Sequence, residues 1–276
     1  MSLVAASRSE FTKQFSTSMW WILAIVLVAY VGFTATVLAF ALAASSTGSI
    51  GGGEGPVLPS DQLSPLLYST ATAVGYVFPL LMGTLMVTAE FRHKTLTPTF
   101  LATPRRGTVL WAKTAIGVVV GVLFGVIGVI SSVGPSAGLL AAYGLDTDLG
   151  SADTWAMIGR MVLAYVLWVI VGIGVGALVR NQVGAIVGVL VFTQFLEPVA
   201  RAAAAFVEQL EPVTRYLPGA ASDTLVGASI FSVAAGPGAG ASSDPLEWWV
   251  GGLVLLGYAV VLLVLGYLAS WRRDVA

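Results

Sequence analysis

Charged side chains are concentrated in one interior segment of the chain, residues 90–113, with the sequence EFRHKTLTPTFLATPRRGTVLWAK. Five of the 13 basic residues and the single histidine of the 276-residue chain fall in this segment. Such side chains form ion pairs and charge-assisted hydrogen bonds, and they also meet the headgroups of anionic lipids. The segment is therefore expected to bind, either to the membrane surface or to another protein.

Motifs for covalent or metal chemistry are absent from the sequence. It has no GxxxxGK[ST] loop to cradle phosphates and no HExxH pair, and its one histidine cannot build a multi-histidine metal site. Cysteine is absent, and no base is placed to activate a serine. The sequence predicts a protein that is not an enzyme and that binds no cofactor or metal of its own.

The composition is that of a chain surrounded by hydrocarbon. Hydrophobic residues make up 57% of the sequence and charged residues 10%, and the mean hydropathy is +0.90. Soluble domains carry roughly 25% charged residues. The net charge of −1 creates no general field that would attract nucleic acid. We expect membrane lipid, and no nucleic acid, as a partner.

Apolar runs long enough to cross a bilayer as helices occur six times. They are residues 20–44, 66–89, 114–140, 157–179, 183–200 and 248–270. The first run follows Arg8 and Lys13 and has 25 residues, whereas the apolar part of a secretory signal has about 7–15. We interpret it as a retained span, with cleavage as the alternative. The sequence predicts an all-α polytopic membrane protein with one transmembrane domain, residues 1–276.

Basic residues favour one side of this arrangement. Residues 1–19, 90–113, 180–182 and 271–276 contain ten of them, whereas residues 45–65, 141–156 and 201–247 contain two. An excess of lysine and arginine in short loops marks the cytoplasmic side. Both termini are therefore predicted to be cytoplasmic. The alanine- and glycine-rich composition, with little lysine, favours a bacterium with a GC-rich genome.

Three segments outside the spans have their own patterns. Residues 1–19 predict an amphipathic helix in the membrane interface, with Phe11 and Phe15 one turn apart. Within residues 90–113, Thr97-Pro98 predicts the start of a short helix and Thr103-Pro104 its end. Residues 201–247 predict an outer re-entrant or interfacial helical segment before the last span, with a flexible loop at 232–243.

Six polar residues within the spans are candidates for lining a pathway. They are Tyr30, Thr34, Tyr76, Thr84, Thr193 and Gln194. These side chains either line a pathway or bond to the helix backbone. Glu197, near the end of the fifth span, either reaches the headgroup region or forms part of an outer gate. The span centres have no ionisable residue, which disfavours a carrier that moves ions through buried carboxylates.

Two stretches resemble the permeases of bacterial type-2 ATP-binding-cassette (ABC) exporters. The first is RSEFTKQFSTSMWW, residues 8–21, which resembles the N-terminal entry of those permeases. The second resembles their loop between spans two and three, in which a glutamate opens a short coupling helix. Its matching residues are Glu90, Thr95, Leu96, Pro98, Thr99, Leu101, Pro104, Arg105, Arg106 and Lys113. Glycine often precedes the Thr-Leu pair in the family, and this chain has Lys94 there.

The resemblance implies a transport mechanism. Such permeases lack an ATPase, pair with a separate subunit that binds ATP and Mg, and form the pathway with a second permease chain, identical or different. The coupling residues implied here are Glu90, Arg92, Thr95, Leu96, Phe100, Leu101 and Arg105. The expected function is export of a drug, a lipid or another amphiphile. A stand-alone secondary carrier or channel is the alternative.

Overall fold

The computed structural model describes residues 3–48, 60–102, 105–204, 206–229 and 246–271. Every regular element in these ranges is helical. The α-helices are α1 Leu3–Ser16, α2 Met19–Ser46, α3 Ser60–Tyr68, α4 Thr70–Gly75, α5 Val77–Arg92, α6 Leu96–Ala102, α7 Arg106–Ala142, α8 Ala152–Leu178, α9 Gln182–Val191, α10 Glu197–Ala204, α11 Glu211–Thr214, α12 Pro218–Val226 and α13 Trp248–Gly266. A 3₁₀ turn occupies Glu208–Leu210, and π-helical segments occupy Phe192–Leu196 and Tyr267–Trp271.

Six helical stretches of the described chain are long and apolar enough to cross a membrane. They are Met19–Ser46, Gln62–Arg92, Arg106–Ala142, Ala152–Leu178, Gln182–Ala204 and Trp248–Ala269, which we call spans one to six. The predicted number is confirmed. The helix of the third span extends beyond the apolar run 114–140 from which this span was predicted. Its helix begins at Arg106, because charged residues in its first turns pair with neighbours and do not end the helix.

Spans two and four form the centre of the bundle. The most apolar stretch of span two is 89% buried, and the most apolar stretch of span four is 72% buried. Glycines permit close contact between spans two and four, because a Cβ on Gly176 of α8 would lie 2.6 Å from the carbonyl oxygen of Thr84 in α5. Span three packs on α8 at a similar distance, because a Cβ on Gly121 of α7 would lie 2.6 Å from the Cα atom of Val166. Small residues therefore let three helices pack at short distance.

Span two is interrupted twice, at Ser69 and Tyr76. Pro79 accounts for the second break because it has no N–H to donate to the carbonyl of residue 75. The carbonyls of Leu67 and Tyr68, near the first break, accept hydrogen bonds from the Ser132 hydroxyl of α7 at 3.1 and 3.0 Å. These bonds satisfy backbone groups that lie inside the bundle.

The two ends of the bundle differ in chemistry. One end holds α1, α6, the last turn of α5 and the first turns of α7, and we call it the junction end. The other, which we call the far end, holds α10 to α12 and the turn after α7, where the hydroxyl of Ser64 donates to the carbonyl of Asp146 at 2.9 Å. The flexible loop expected at residues 232–243 and the helix stop at Thr103-Pro104 lie outside the described residues.

Candidate functional site: a charged junction beside a short surface helix

Four charged side chains from three helices meet at the junction end, and we call this group the charged junction. Lys113 of α7 contacts Glu10 of α1 with an Nζ–Oε2 distance of 2.5 Å and Glu90 of α5 with an Nζ–Oε1 distance of 3.0 Å. Lys13 of α1 contacts the same two carboxylates at 2.8 and 3.0 Å. The chain thereby joins residues as far apart as 10 and 113 through alternating charges.

The sequence of α1 explains how the helix presents these charges. Ala6, Glu10 and Gln14, spaced four residues apart, form its buried stripe. Val4 and Phe11 are exposed on another face, and Leu3 is exposed at the start of the helix. This orientation is the reverse of that in a water-soluble bundle, where the apolar face is buried. The helix expected at residues 1–19 is therefore present as Leu3–Ser16, with its polar stripe turned toward the protein.

The charged junction is largely buried, and each of its charged groups is paired with an opposite charge. Only 1% of Lys113 and 7% of Glu90 are exposed. Burial by itself would raise the pKa of Glu10, but the neighbouring Lys113 and Lys13 ammoniums outweigh it and lower that pKa. Burial would lower the pKa of Lys13, but Glu90 and Glu10 outweigh it and raise that pKa. Both groups stay ionised around neutral pH, and the junction persists as an ion-pair network.

The short helix α6 lies next to the charged junction. Lys13 Nζ also donates to the Thr99 hydroxyl at 3.3 Å, which links the network to α6. The Phe100 ring packs edge-on against Trp271 at the end of span six, with centroids 5.4 Å apart. The Arg106 guanidinium lies 5.2 Å from the centroid of the Phe100 ring. The described structure thus anchors α6 to α1, to α7 and to the end of span six.

The helix predicted between Thr97 and Thr103 is present, but it begins at Leu96. The assignment of Thr97 as the residue preceding the helix was therefore wrong. Pro98 is tolerated at the third helical position because N–H groups of the first turn have no acceptor within the helix. The N–H of Thr99 donates to the Thr95 carbonyl at 3.2 Å and closes the first turn.

Lys94 occupies the position where the resembling family often has glycine, and it has a positive φ of 54°. The N–H of Thr95 donates to the Glu90 carbonyl at 3.0 Å, and the N–H of Lys94 donates to the Phe91 carbonyl at 3.3 Å. These two bonds define a Schellman motif that ends α5, in which the left-handed residue is usually glycine. A glycine at this position is thus explained by backbone geometry.

The residues expected to couple to a partner divide into two groups. Glu90 and Leu96 are buried, and Phe100 is half-buried against Trp271, so these three hold α6 in place. Arg92, Thr95, Leu101 and Arg105 are exposed. Leu101 is 79% exposed, a large fraction for leucine. A direct contact between Glu90 and another protein, as first expected, disagrees with the burial of Glu90 inside the charged junction.

The polar residues of the spans mostly bond to backbone. The hydroxyls of Thr34, Thr84 and Thr193 each donate to the carbonyl four residues earlier, at 2.8 Å in every case. Tyr30 is exposed on α2, and Gln194 is exposed beside Thr193. The backbone interpretation of the three threonines is therefore the one that the structure supports.

Tyr76, Thr193 and Glu197 come together toward the far end. The Tyr76 hydroxyl donates to the Thr193 carbonyl at 3.0 Å, and its ring stacks on Trp168 with centroids 4.6 Å apart. Glu197 lies one turn beyond Thr193, is 2% exposed, and accepts a hydrogen bond from the N–H of Ala220 at 3.0 Å. Glu197 therefore faces α12, and the headgroup interpretation of this residue is wrong.

Sequence reasoning missed the internal pairing of the charged junction. Glu10 and Lys13 were visible as polar residues of α1, and Lys113 as the last charge before an apolar run. A signal was present in the polar stripe Glu10–Gln14, which continues Ala6 at a spacing of four residues. Contacts between residues separated by about 80 to 100 positions do not follow from local spacing.

Comparison with models of known protein families and with curated protein sequences finds no match. The architecture itself is that of a multi-pass helical membrane protein, with six candidate spans in the described residues.

Proposed function

We propose that this chain is the membrane-spanning subunit of an ABC exporter, driven by a separate ATPase that binds ATP and Mg. The observation that carries the proposal is the fixed position of α6. Its exposed Leu101 projects from the junction end, while Phe100 and the charged junction hold the helix to three other elements. Such a helix transmits a push from a partner to the bundle without bending away.

The exposed surface of α6 and its flanks indicates the chemistry of the partner. Arg92, Lys94 and Arg105 are exposed around Leu101. An apolar pocket with an acidic rim would accept this surface, since the leucine gains burial and the basic groups gain ion pairs. The proposal places this pocket on the ATPase and the junction end on the cytoplasmic side, in agreement with the excess of basic residues there.

The rest of the pathway belongs to the same proposal. The apolar faces of spans one, five and six are largely exposed, with 28%, 22% and 17% of their most apolar stretches buried. Lipid and a second permease chain, identical or different, cover these faces. The cargo is a drug, a lipid or another amphiphile, and the membrane is a bacterial plasma membrane.

The experiment replaces Leu101→Asp in the full chain, which is purified from its native membrane together with its associated proteins. We expect loss of the nucleotide-hydrolysing partner and of cargo-stimulated ATP hydrolysis. The matched control is Phe206→Asp, because Phe206 is 89% exposed but lies at the far end. The melting temperature of each variant establishes that the chain remains folded.

Two results would contradict the proposal. One is an unchanged complex with normally coupled hydrolysis in Leu101→Asp. The other is transport by the purified chain alone, driven by an ion gradient, which would favour the stand-alone carrier.

A further inference from the structure

Two side chains of α10 hold α12 at the far end. Glu197 accepts a hydrogen bond from the Ala220 N–H at 3.0 Å, and Arg201 Nη2 lies 2.7 Å from Asp223 Oδ2. Glu197 and Arg201 are four residues apart and share one face of α10. Their targets are three residues apart on α12, so the two helices meet in register at two points.

The first contact, between the Glu197 carboxylate and the Ala220 N–H, replaces a missing cap at the start of α12. The residue before α12, Leu217, offers no side-chain acceptor, and Pro218 occupies the first turn. The Glu197 carboxylate occupies the place of the cap, where the N–H groups and the helix dipole favour a negative charge. Contact is close, because a Cβ on Gly219 would lie 2.8 Å from Cδ of Glu197. Glycine at this position therefore lets the carboxylate reach the backbone.

The second point is a buried ion pair. Burial raises the pKa of Asp223, and the Arg201 guanidinium opposes that rise. The Ser229 hydroxyl donates to the same carboxylate oxygen at 2.8 Å. A charged carboxylate in this setting depends on its partners, so separating α10 from α12 would leave Asp223 with a costly uncompensated charge.

Other spans fix α12 independently of α10. The Trp168 indole N–H of α8 donates to the Ser222 hydroxyl at 3.1 Å. Gly251 of α13 packs so closely that a Cβ there would lie 2.5 Å from the Ala221 carbonyl oxygen. These contacts make α12 the anchored member of the pair, and α10 the member that is free to change position.

A π-helical segment precedes α10. Span five passes through a π-helical segment, Phe192–Leu196, just before Glu197. Pro198 accounts for this widened turn, because it lacks an N–H and its ring displaces the carbonyl of residue 194. Phe195 and Leu196 are exposed, so these side chains do not brace the segment against the rest of the described chain.

We infer that α10 is a latched gate: the π-helical segment Phe192–Leu196 is its hinge, and Glu197 and Arg201 are its latch on the anchored α12. Opening swings the far-end part of span five away from α12, while α9 stays against α5. Only the assignment of this gate to cargo exit rests on the proposed function. The hinge and the latch are properties of the isolated chain.

The test measures the position of α10 in the purified full chain in lipid nanodiscs, without nucleotide or partner. The sequence has no cysteine, so introduced cysteines carry the only spin labels. One pair of labels joins Ala202 of α10 to Trp155 of α8, both exposed, and a reference pair joins Trp155 to the exposed Trp249 of α13. Pulsed electron paramagnetic resonance reports the two distance distributions.

Glu197→Ala removes the cap, and Gly219→Ala pushes the carboxylate away from α12 by an independent route. Each variant is expected to raise the ratio of open to closed conformers about tenfold or more, from the loss of charge-assisted hydrogen bonds. The reference distance stays unchanged. Glu211→Ala, which removes an exposed carboxylate of neighbouring α11, leaves both distances unchanged.

An unaltered Ala202–Trp155 distribution in both variants would overturn the latch. If Glu197→Ala also broadens the reference distance, that variant has lost its fold. The Ala202–Trp155 distribution of Gly219→Ala then tests the latch. Failure of the proposed function gives a different pattern, in which the distances change as expected but no ATPase copurifies with the unaltered chain.

Discussion

Replacement of Lys113 by methionine tests the charged junction most directly. Lys113 is 1% exposed and contacts the carboxylates of Glu10 and Glu90. It also donates to the Met86 carbonyl at 3.3 Å. Methionine has similar length and no charge, so the change removes the ammonium and nearly preserves the volume. Two buried carboxylates are then left with Lys13 as their shared cation.

The expected cost follows from the burial of these groups. Breaking a buried ion pair by removing one partner costs about 3–5 kcal/mol, because the remaining charge stays out of water. Adding Glu10→Gln removes the one excess negative charge, and the Glu90–Lys13 pair remains. The double variant should therefore be less destabilised than the sum of the two single variants, by about 0.5–3 kcal/mol.

The measurement is the free energy of unfolding of the full chain in mixed micelles, followed by tryptophan fluorescence during titration with a denaturing detergent. Arg105→Met is the control, because it removes a basic residue from the same end at an exposed position. Its free energy of unfolding should change by less than about 0.5 kcal/mol. If Lys113→Met matches this control, or if the two junction changes are simply additive, the buried network is refuted.

The remaining predictions concern backbone geometry and pH. Lys94→Gly should stabilise the chain by about 1 kcal/mol, because glycine adopts the positive φ of this position without strain, and the melting temperature checks it. The lowered pKa of Glu10 means that its contribution is fully present above the ordinary value of 4.5 and is lost as the pH falls through the lowered value. The raised pKa of Lys13 means that its contribution is fully present below 10.5 and is lost as the pH rises through the raised value. Protease sensitivity of α1 should therefore stay low and constant between these limits and rise outside them, and a steady rise between pH 5 and 9 would contradict the assignment.

The number of spans was predictable because membrane crossing requires about 20 apolar residues, and that requirement is local in sequence. The start of α7 was not predictable in the same way. Arg106 and Lys113 have the composition of a loop, but the Arg106 guanidinium donates to the Trp271 carbonyl at 3.0 Å and Lys113 is enclosed by carboxylates. Tertiary partners compensate for these charges and let the helix begin eight residues earlier than hydropathy indicates.

Glu197 shows a second limit of sequence reasoning. A carboxylate beside proline at the end of an apolar run is typical of a helix end near water. The N-terminus of α12, 23 residues further along the chain, instead supplies the groups that it binds. Nothing in the spacing of residues 197 and 220 indicates this contact, since it depends on how α12 packs between spans four and six.

The uninterrupted part of α7 has a mechanical consequence. Lys113 near its start is held by the charged junction, and Ser132 bonds to the first break of span two. The 19 residues between these points correspond to about 28 Å of helix, close to the hydrocarbon thickness of a bilayer. A tilt of about 5° around one end displaces the other by about 2 Å. The two attachment points of this helix lie almost the thickness of a bilayer apart. A small tilt of the rigid helix at one of them would therefore displace the other, and no helix would have to slide along its axis.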